Sequence, residues 1–269
     1  MRKILATAVL ACLAIGAAAP QAAFADSDET VQVGKNVFLS FGLKTWINTW
    51  QTNLTGNSGK NWTMLTAGPR MGVIPSASLK LKRFLVSGSF MVTPDYRFPR
   101  ETFYTTGAGS QLYSLDITGS RREYDLNFGF YVSRSVVLTM GYKGISEKFR
   151  VENSRTGTSE NKVYLNGVTL GIAGSAPIGK GFSVYGSGAG GWMGVTYDPS
   201  SQYTDNGLYE ASEMGLAWKA PGRVPLSVSL GYKFQLIQTR INSRNSTNYE
   251  SLPRNEVTRG PMLGLNLVF

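Results

Sequence analysis

Five charged side chains stand in the middle of segments that otherwise alternate large apolar residues with small polar ones. They are Lys44, Asp125, Lys143, Glu213 and Lys233. Charges enclosed in a protein interior need opposite charges beside them, because removing an ion from water is costly. We therefore expect a compact network in which Asp125 pairs with Lys143, and Glu213 with Lys233, each across neighbouring strands. The alternative is that all five are ordinary strand charges exposed to water.

Other site chemistry is largely excluded by residue type. The chain has no histidine, and its one cysteine is Cys12, so we expect no disulfide, no cofactor and no His or Cys metal site. An oxygen-only calcium site in the loops stays open. Residues 186–191 match G-x-G-x-x-G, but they lie inside a predicted strand that no helix follows, so the match does not indicate dinucleotide binding. The net charge is +10, yet the basic residues are dispersed, which argues against nucleic acid.

The segments that must position these charges are predicted strands. In the clearest one, Tyr124, Leu126, Phe128 and Phe130 face one way and the residues between them the other, because side chains alternate along a strand. Ten such segments are predicted: 36–50, 67–81, 84–93, 123–132, 136–150, 162–175, 181–197, 208–219, 225–241 and 260–269. Pro75 falls inside the second, where we expect a bulge or a local break, since proline removes a ladder donor.

The connections between the strands alternate in length. The long ones are 51–66, 94–120, 151–161, 198–207 and 242–256, and the short ones lie near residues 82, 134, 178 and 222. The last strand runs from Gly260 to Phe269 and ends in an aromatic residue on its apolar face. Both features resemble bacterial outer-membrane β-barrels. This resemblance implies an all-β fold, an antiparallel up-and-down transmembrane β-barrel of ten strands, with eight or twelve as alternative counts. A soluble secreted β protein is the competing interpretation.

The N-terminus has the pattern of an export signal. Basic Arg2 and Lys3 precede an apolar run, and Ala23-Phe24-Ala25 is a cleavage site of the A-x-A type. We expect 1–25 to be a cleaved signal peptide, 26–35 a short periplasmic segment and 36–269 the barrel domain in the bacterial outer membrane. An uncleaved anchor, or a lipoprotein acceptor at Cys12, is the alternative. After residue 25 no run reaches the ~18 apolar residues that a spanning helix needs.

The two strand faces then receive opposite assignments. The apolar face should meet lipid, and the face rich in Gly, Ser, Thr and Asn should fill the lumen. Six aromatic residues near strand ends should lie at the membrane interfaces: Trp46, Trp50, Tyr96, Trp192, Tyr197 and Trp218. Four arginines near the outer rim should contact lipid or lipopolysaccharide phosphates, or else belong to a solvated loop: Arg97, Arg100, Arg121 and Arg122.

Two functions fit this description. One is a small porin-like channel for passive diffusion of small solutes, with the surplus lysine favouring anions. The other is a plugged structural or surface-interaction barrel, whose loops bind a partner or lipopolysaccharide. Catalysis is not expected, since omptin-like proteases, barrel phospholipases and lipid A deacylases use a catalytic histidine, which this chain lacks. The resemblance also implies that the barrel-assembly machinery recognises the strand ending in Phe269.

Overall fold

The computed structural model describes residues 37–55, 62–99, 101–104, 112–154, 157–198, 204–221, 225–241 and 252–269. The predicted signal peptide, 1–25, and the segment 26–35 lie outside these residues. Within the described ranges, no helix is long and apolar enough to cross a membrane. Nearly all of the described residues are in β-strands.

Twelve strand segments form one closed antiparallel sheet. They are β1 Val37–Thr55, β2 Trp62–Leu81, β3 Phe84–Val92, β4 Tyr96–Arg97, β5 Glu101–Tyr104, β6 Leu112–Tyr131, β7 Val136–Asn153, β8 Gly157–Gly179, β9 Phe182–Asp198, β10 Thr204–Lys219, β11 Leu226–Ile241 and β12 Leu252–Val268. Segments β3, β4 and β5 all pair with β6 and make up one interrupted barrel strand. Because β12 pairs with β1, the sheet closes into a ten-strand barrel, as predicted.

The strands are strongly staggered around the barrel. Paired residues followed from Ser40 through each neighbouring strand return to β1 at Thr52, twelve residues further along. For ten strands this stagger corresponds to a strand tilt of about 40°. Inward side chains that meet across the lumen can therefore come from strands that are far apart in the sequence.

The strands are longer than the sequence patterns indicated. The segment β6 begins at Leu112 rather than at residue 123, β12 begins at Leu252 rather than at 260, and β8 has 23 residues. A membrane needs only ~9–11 residues per strand. Parts of the predicted loops 51–66, 94–120, 151–161, 198–207 and 242–256 are therefore strand, and the barrel extends well beyond a bilayer.

This extension lies at the loop end, opposite the short turns. The outward residues of β7 change from exposed Leu138 and Met140 to exposed Lys148 and Arg150 towards the loop. The Lys148 ammonium lies 3.0 Å from a carboxylate oxygen of Glu160 on β8. This hydrogen bond lowers the pKa of Glu160. Charged, exposed side chains of this kind indicate that the extension stands in water.

Proline effects occur at two places in β2. Pro75 pairs with Leu43 in an unshifted ladder to β1, while the ladder to β3 runs from Leu81 to Ser76 and resumes at Val73. The local break expected at Pro75 is thus present on one side, without a register shift. The bulge lies instead between Asn48 and Trp50 of β1, where one residue of β1 faces two residues of β2, Gly68 and Pro69. Pro69 has no backbone N–H to donate to the ladder.

The apolar face of the sheet is outside, as predicted. Phe128, Leu170 and Leu230 are 55%, 57% and 62% exposed on the outer wall. Glu123, Lys143 and many serines and threonines are buried inside. This polarity is the reverse of a soluble barrel and is that of a protein whose outer wall meets lipid.

Candidate functional site

Arg121 is completely buried in the barrel, with a side chain that is 0% exposed. Its Nε donates to Glu123 Oε1 at 2.7 Å, and its Nη1 donates to Thr258 Oγ1 at 3.2 Å. The same Nη1 lies 3.2 Å from Glu147 Oε1 and 3.7 Å from Glu256 Oε2. We call these five residues the arginine cluster; it joins β6, β7 and β12 across the lumen.

The rim position predicted for Arg121 is therefore wrong. Arg121 lies two residues before Glu123 in the same strand, and residues two apart share a face. Because β6 continues past residue 123 to Leu112, this alternation carries Arg121 into the lumen. Glu123 and Glu256 were absent from the predicted network for the same reason, since each lay at or beyond a predicted strand end. Glu147, inside the predicted strand 136–150, was missed although its spacing from Lys143 places it on the inner face.

Lys143 extends the cluster towards the turn end. Its Nζ donates to Glu123 Oε2 at 2.7 Å and to both carboxylate oxygens of Asp125 at 3.1 Å. The predicted ion pair between Asp125 and Lys143 is therefore present. Gln235 adds a further donor, with its Nε2 at 3.2 Å from Glu123 Oε1. Glu123 is thus bonded from β6, β7 and β11 at once.

The other predicted pair is wrong. Glu213 and Lys233 are direct cross-strand partners, but the Glu213 carboxylate crosses the lumen to Lys44, whose Nζ donates to its two oxygens at 2.9 and 3.3 Å. The Lys233 ammonium lies instead over the Trp46 ring, 4.6 Å from its centroid. The stagger of the strands brings Lys44 of β1 and Glu213 of β10 to the same level.

A double-mutant cycle distinguishes the two pairings. We expect Lys44→Met and Glu213→Gln to show a coupling energy of about 1–3 kcal/mol in the free energy of unfolding, because the two groups share a bond. The matched cycle of Lys233→Met with Glu213→Gln should give a smaller coupling. Urea titrations of the folded barrel in detergent measure both. A larger coupling for Lys233 would contradict the observed pairing.

Of the remaining rim arginines, Arg97 and Arg122 are exposed on the outside of the barrel. In β6, Arg122 lies two residues closer to the loop end than Tyr124, which faces outward in the apolar wall. Arg97 pairs with Thr118 of β6, which lies closer still to the loop end. Arg122 therefore lies where the apolar wall ends, and Arg97 lies further towards the loop end. Arg100 lies outside the described residues. Contact with phosphate stays a prediction for these arginines.

An aromatic roof covers the arginine cluster at the loop end. It consists of Trp50, Tyr96, Phe98 and Phe149, which are 0%, 0%, 4% and 6% exposed. The Trp50 ring centroid lies 5.2, 5.5 and 5.0 Å from those of the other three. A Cβ on Gly119 would stand 2.8 Å from Trp50 Cζ3, so only glycine there admits the indole. The Tyr96 hydroxyl donates to Asn48 Oδ1.

The roof corrects the prediction of interfacial aromatics. Trp46, Trp50 and Tyr96 are completely buried inside the barrel, because they share the strand face that carries the inward polar groups. Trp192 is 73% exposed on the outer wall, as expected of an interfacial ring, and Trp218 is partly exposed. The side chain of Tyr197 lies outside the described part of the chain.

Below the arginine cluster the lumen holds a polar cavity of about 100 Å³. Lys44, Asp125, Glu213 and Lys233 line it together with several serines. At the turn end, Leu85, Tyr131, Val137 and Ala173 form a buried cluster in the interior, and the Lys80 ammonium lies 4.4 Å from the Tyr131 ring centroid. Among the described residues, no three His, Cys, Asp or Glu side chains form a group that would hold a metal ion.

Comparison with known proteins gives relatives by fold only. No family model matches the chain, and no curated protein sequence does. The outer membrane protease OmpT from Escherichia coli superimposes with a TM-score of 0.59 at 12% identity, over 90% of this chain and 100% of that one. The toluene transporter TodX of P. putida gives 0.37 at 8% identity, over 88% and 91%. A Pseudomonas aeruginosa FadL homologue gives 0.34 at 8%, over 87% and 90%.

The barrel fold and the distribution of apolar and charged residues indicate the same class of protein. Ten antiparallel strands close on themselves, the outer wall is apolar and the interior holds paired charges, and the TM-score to OmpT exceeds 0.5 over its whole length. A barrel with this distribution is suited to lipid outside and polar groups inside. The chain therefore has the fold of the bacterial outer-membrane β-barrel superfamily.

Proposed function

We propose that this protein is a plugged outer-membrane barrel that supports a surface-exposed extension and does not form an open pore. Of the two functions that the sequence suggests, this is the structural or surface-interaction alternative. Its supporting features are a lumen filled by side chains in successive layers and strands that continue far past the lipid-facing band. A rigid, filled barrel of this kind positions the loops above it for contact with a partner or with lipopolysaccharide.

The observation that carries the proposal is the aromatic roof. Its four rings come from β1, β7 and the interrupted third strand, and they belong to one buried apolar cluster that also contains residues of β8, β9, β10 and β11. Directly beneath it, Arg121 connects Glu123, Glu147 and Glu256 across the barrel. The cavity of about 100 Å³ has none of the roof residues in its lining. An ion crossing the barrel would have to displace both the packed rings and the buried ion pairs.

Planar-bilayer recording tests the proposal. We expect the purified protein, shown to be folded by its heat-modifiable migration on gels, to insert without producing discrete conductance steps. A general porin reconstituted in the same membrane controls for detection. Stable single-channel steps from the folded protein would contradict the plugged barrel.

The polar cavity favours a second candidate, the porin-like channel for small solutes. The cavity contains the charged groups of Lys44 and Lys233 at the level of the lipid-facing band, as a conducting path would require. If conductance steps appear and Lys233→Glu changes their ion selectivity, the channel replaces the plugged barrel. Steps whose selectivity is unchanged by Lys233→Glu would exclude this cavity as the path.

The proposed partners follow from the outer surface and the C-terminus. Exposed Arg122 at the edge of the apolar wall and exposed Arg97 further towards the loop end are suited to phosphates of outer-membrane lipid or lipopolysaccharide. The strand β12, with Phe269 after it, is proposed to be recognised by the barrel-assembly machinery. The OmpT match is a protease by its name; for this chain we propose no catalysis, because it has no histidine to act as a general base.

A further inference from the structure

Lys233 is a lumen cation without a direct ion pair among the described residues. Among the described residues, Lys44, Arg121 and Lys143 each lie within 4.0 Å of a carboxylate, whereas the Lys233 ammonium forms no such ion pair and lies over the Trp46 ring, 4.6 Å from its centroid. The face of an indole attracts a cation but carries no full charge. A positive charge held inside the barrel without a counter-ion is unfavourable.

The acids near Lys233 are already bonded to other cations. The Glu213 carboxylate is turned across the lumen to Lys44, and both oxygens of Asp125 are bonded to Lys143. Glu123 accepts hydrogen bonds from Arg121, Lys143 and Gln235. These three carboxylates attract Lys233 only at longer range, and each is bonded directly to another cation.

A second unused donor lies in the same cavity. Ser187 is 1% exposed, and its Oγ has no hydrogen-bond partner among the described residues. In the sheet, Ser187 and Lys233 are the two cross-strand neighbours of Glu213, one on each side. Both side chains line the cavity of about 100 Å³, so an ammonium and a hydroxyl donor flank a carboxylate that is directed elsewhere.

We infer that this cavity binds a small monovalent anion of halide size between Lys233 and Ser187. An ammonium and a hydroxyl both donate hydrogen bonds, so together they suit an acceptor with negative charge. The volume corresponds to about three water molecules, which admits a halide with some water and excludes a large organic anion. The anion gives Lys233 a counter-charge in direct contact, and its binding is independent of the proposed plugging of the barrel.

Bromide tests this site directly. In crystals of the full-length mature protein grown in bromide, we expect an anomalous difference peak in contact with Lys233 Nζ and near Ser187 Oγ. Crystals of Lys233→Met should lack this peak, while those of Lys162→Met, which removes an exposed charge outside the barrel, should keep it. Ordered water without anomalous signal in the wild-type cavity, or an unchanged peak in Lys233→Met, would overturn the site.

Thermal unfolding gives an independent result if Lys233→Met does not crystallise. Replacing gluconate by chloride at equal ionic strength should raise the midpoint of the wild type and of Lys162→Met by about 2–4 °C, through ligand linkage. The rise should disappear in Lys233→Met. Equal responses of the three proteins would overturn the site.

Discussion

Replacement of Arg121 by methionine is expected to destabilise the barrel more than any other single charge removal. The substitution leaves Glu123, Glu147 and Glu256 in the lumen without the guanidinium that joins them. Removing one partner of a buried ion pair costs about 3–5 kcal/mol, because the buried charges that remain lose a counter-charge. Urea titration of the folded protein in detergent, followed by far-UV circular dichroism, measures the loss in the free energy of unfolding.

The neighbouring arginine provides the matched control for this prediction. Arg122→Met removes the same side chain from the outer surface, and we expect a change of within about 0.5 kcal/mol in detergent without lipopolysaccharide. If Arg121→Met does not fold, adding Glu147→Gln and Glu256→Gln should restore folding, since two of the buried negative charges that the guanidinium balanced are then removed. Equal effects of Arg121→Met and Arg122→Met would contradict the buried cluster.

Replacement of Trp50 by alanine is the second large effect that we expect. The indole is completely buried, contacts three other rings and fills the space over Gly119. Truncating a buried tryptophan to alanine costs about 3–5 kcal/mol, because apolar contacts are lost and a cavity remains. The same urea titration measures the loss; circular dichroism is preferable to fluorescence, since the substitution removes a fluorophore.

Trp192 is the matched control for Trp50. Its ring is 73% exposed on the outer wall, so Trp192→Ala should cost clearly less than Trp50→Ala. A filling substitution, Trp50→Phe, should recover part of the stability lost by Trp50→Ala. If Trp192→Ala were the more destabilising of the two alanine variants, the aromatic roof would not contribute to stability as described.

The strand faces could be predicted from the sequence because alternation is a local property. The Asp125–Lys143 pair was also accessible, since β6 and β7 are joined by the short turn 132–135, which fixes their register. From that turn, counting back along both strands places Asp125 opposite Lys143. Local geometry is sufficient wherever partners lie on strands that a tight turn connects.

The contacts across the lumen could not be obtained in this way. Lys44 reaches Glu213 over three strand boundaries, and the stagger of the closed barrel, which no single hairpin determines, sets their common level. Arg121 and Trp50 were misplaced for a different reason. Both lie at the correct spacing for the inner face. Arg121 lay outside the predicted strand 123–132, so the alternation was not followed to it, and Trp50, the last residue of the predicted strand 36–50, was assigned by its place at the strand end and not by its face.

The orientation of the wall is tested most directly by attaching a nitroxide to a single cysteine in place of Leu230. The chain has only Cys12, in the predicted signal peptide, so Leu230→Cys would be the one labelled site in a mature protein that begins after residue 25. In liposomes we expect lipid-soluble oxygen to relax this label more strongly than a water-soluble nickel complex, and the reverse for Lys148→Cys on the outer extension. Preferential relaxation of the Leu230→Cys label by the nickel complex would contradict a lipid-facing outer wall.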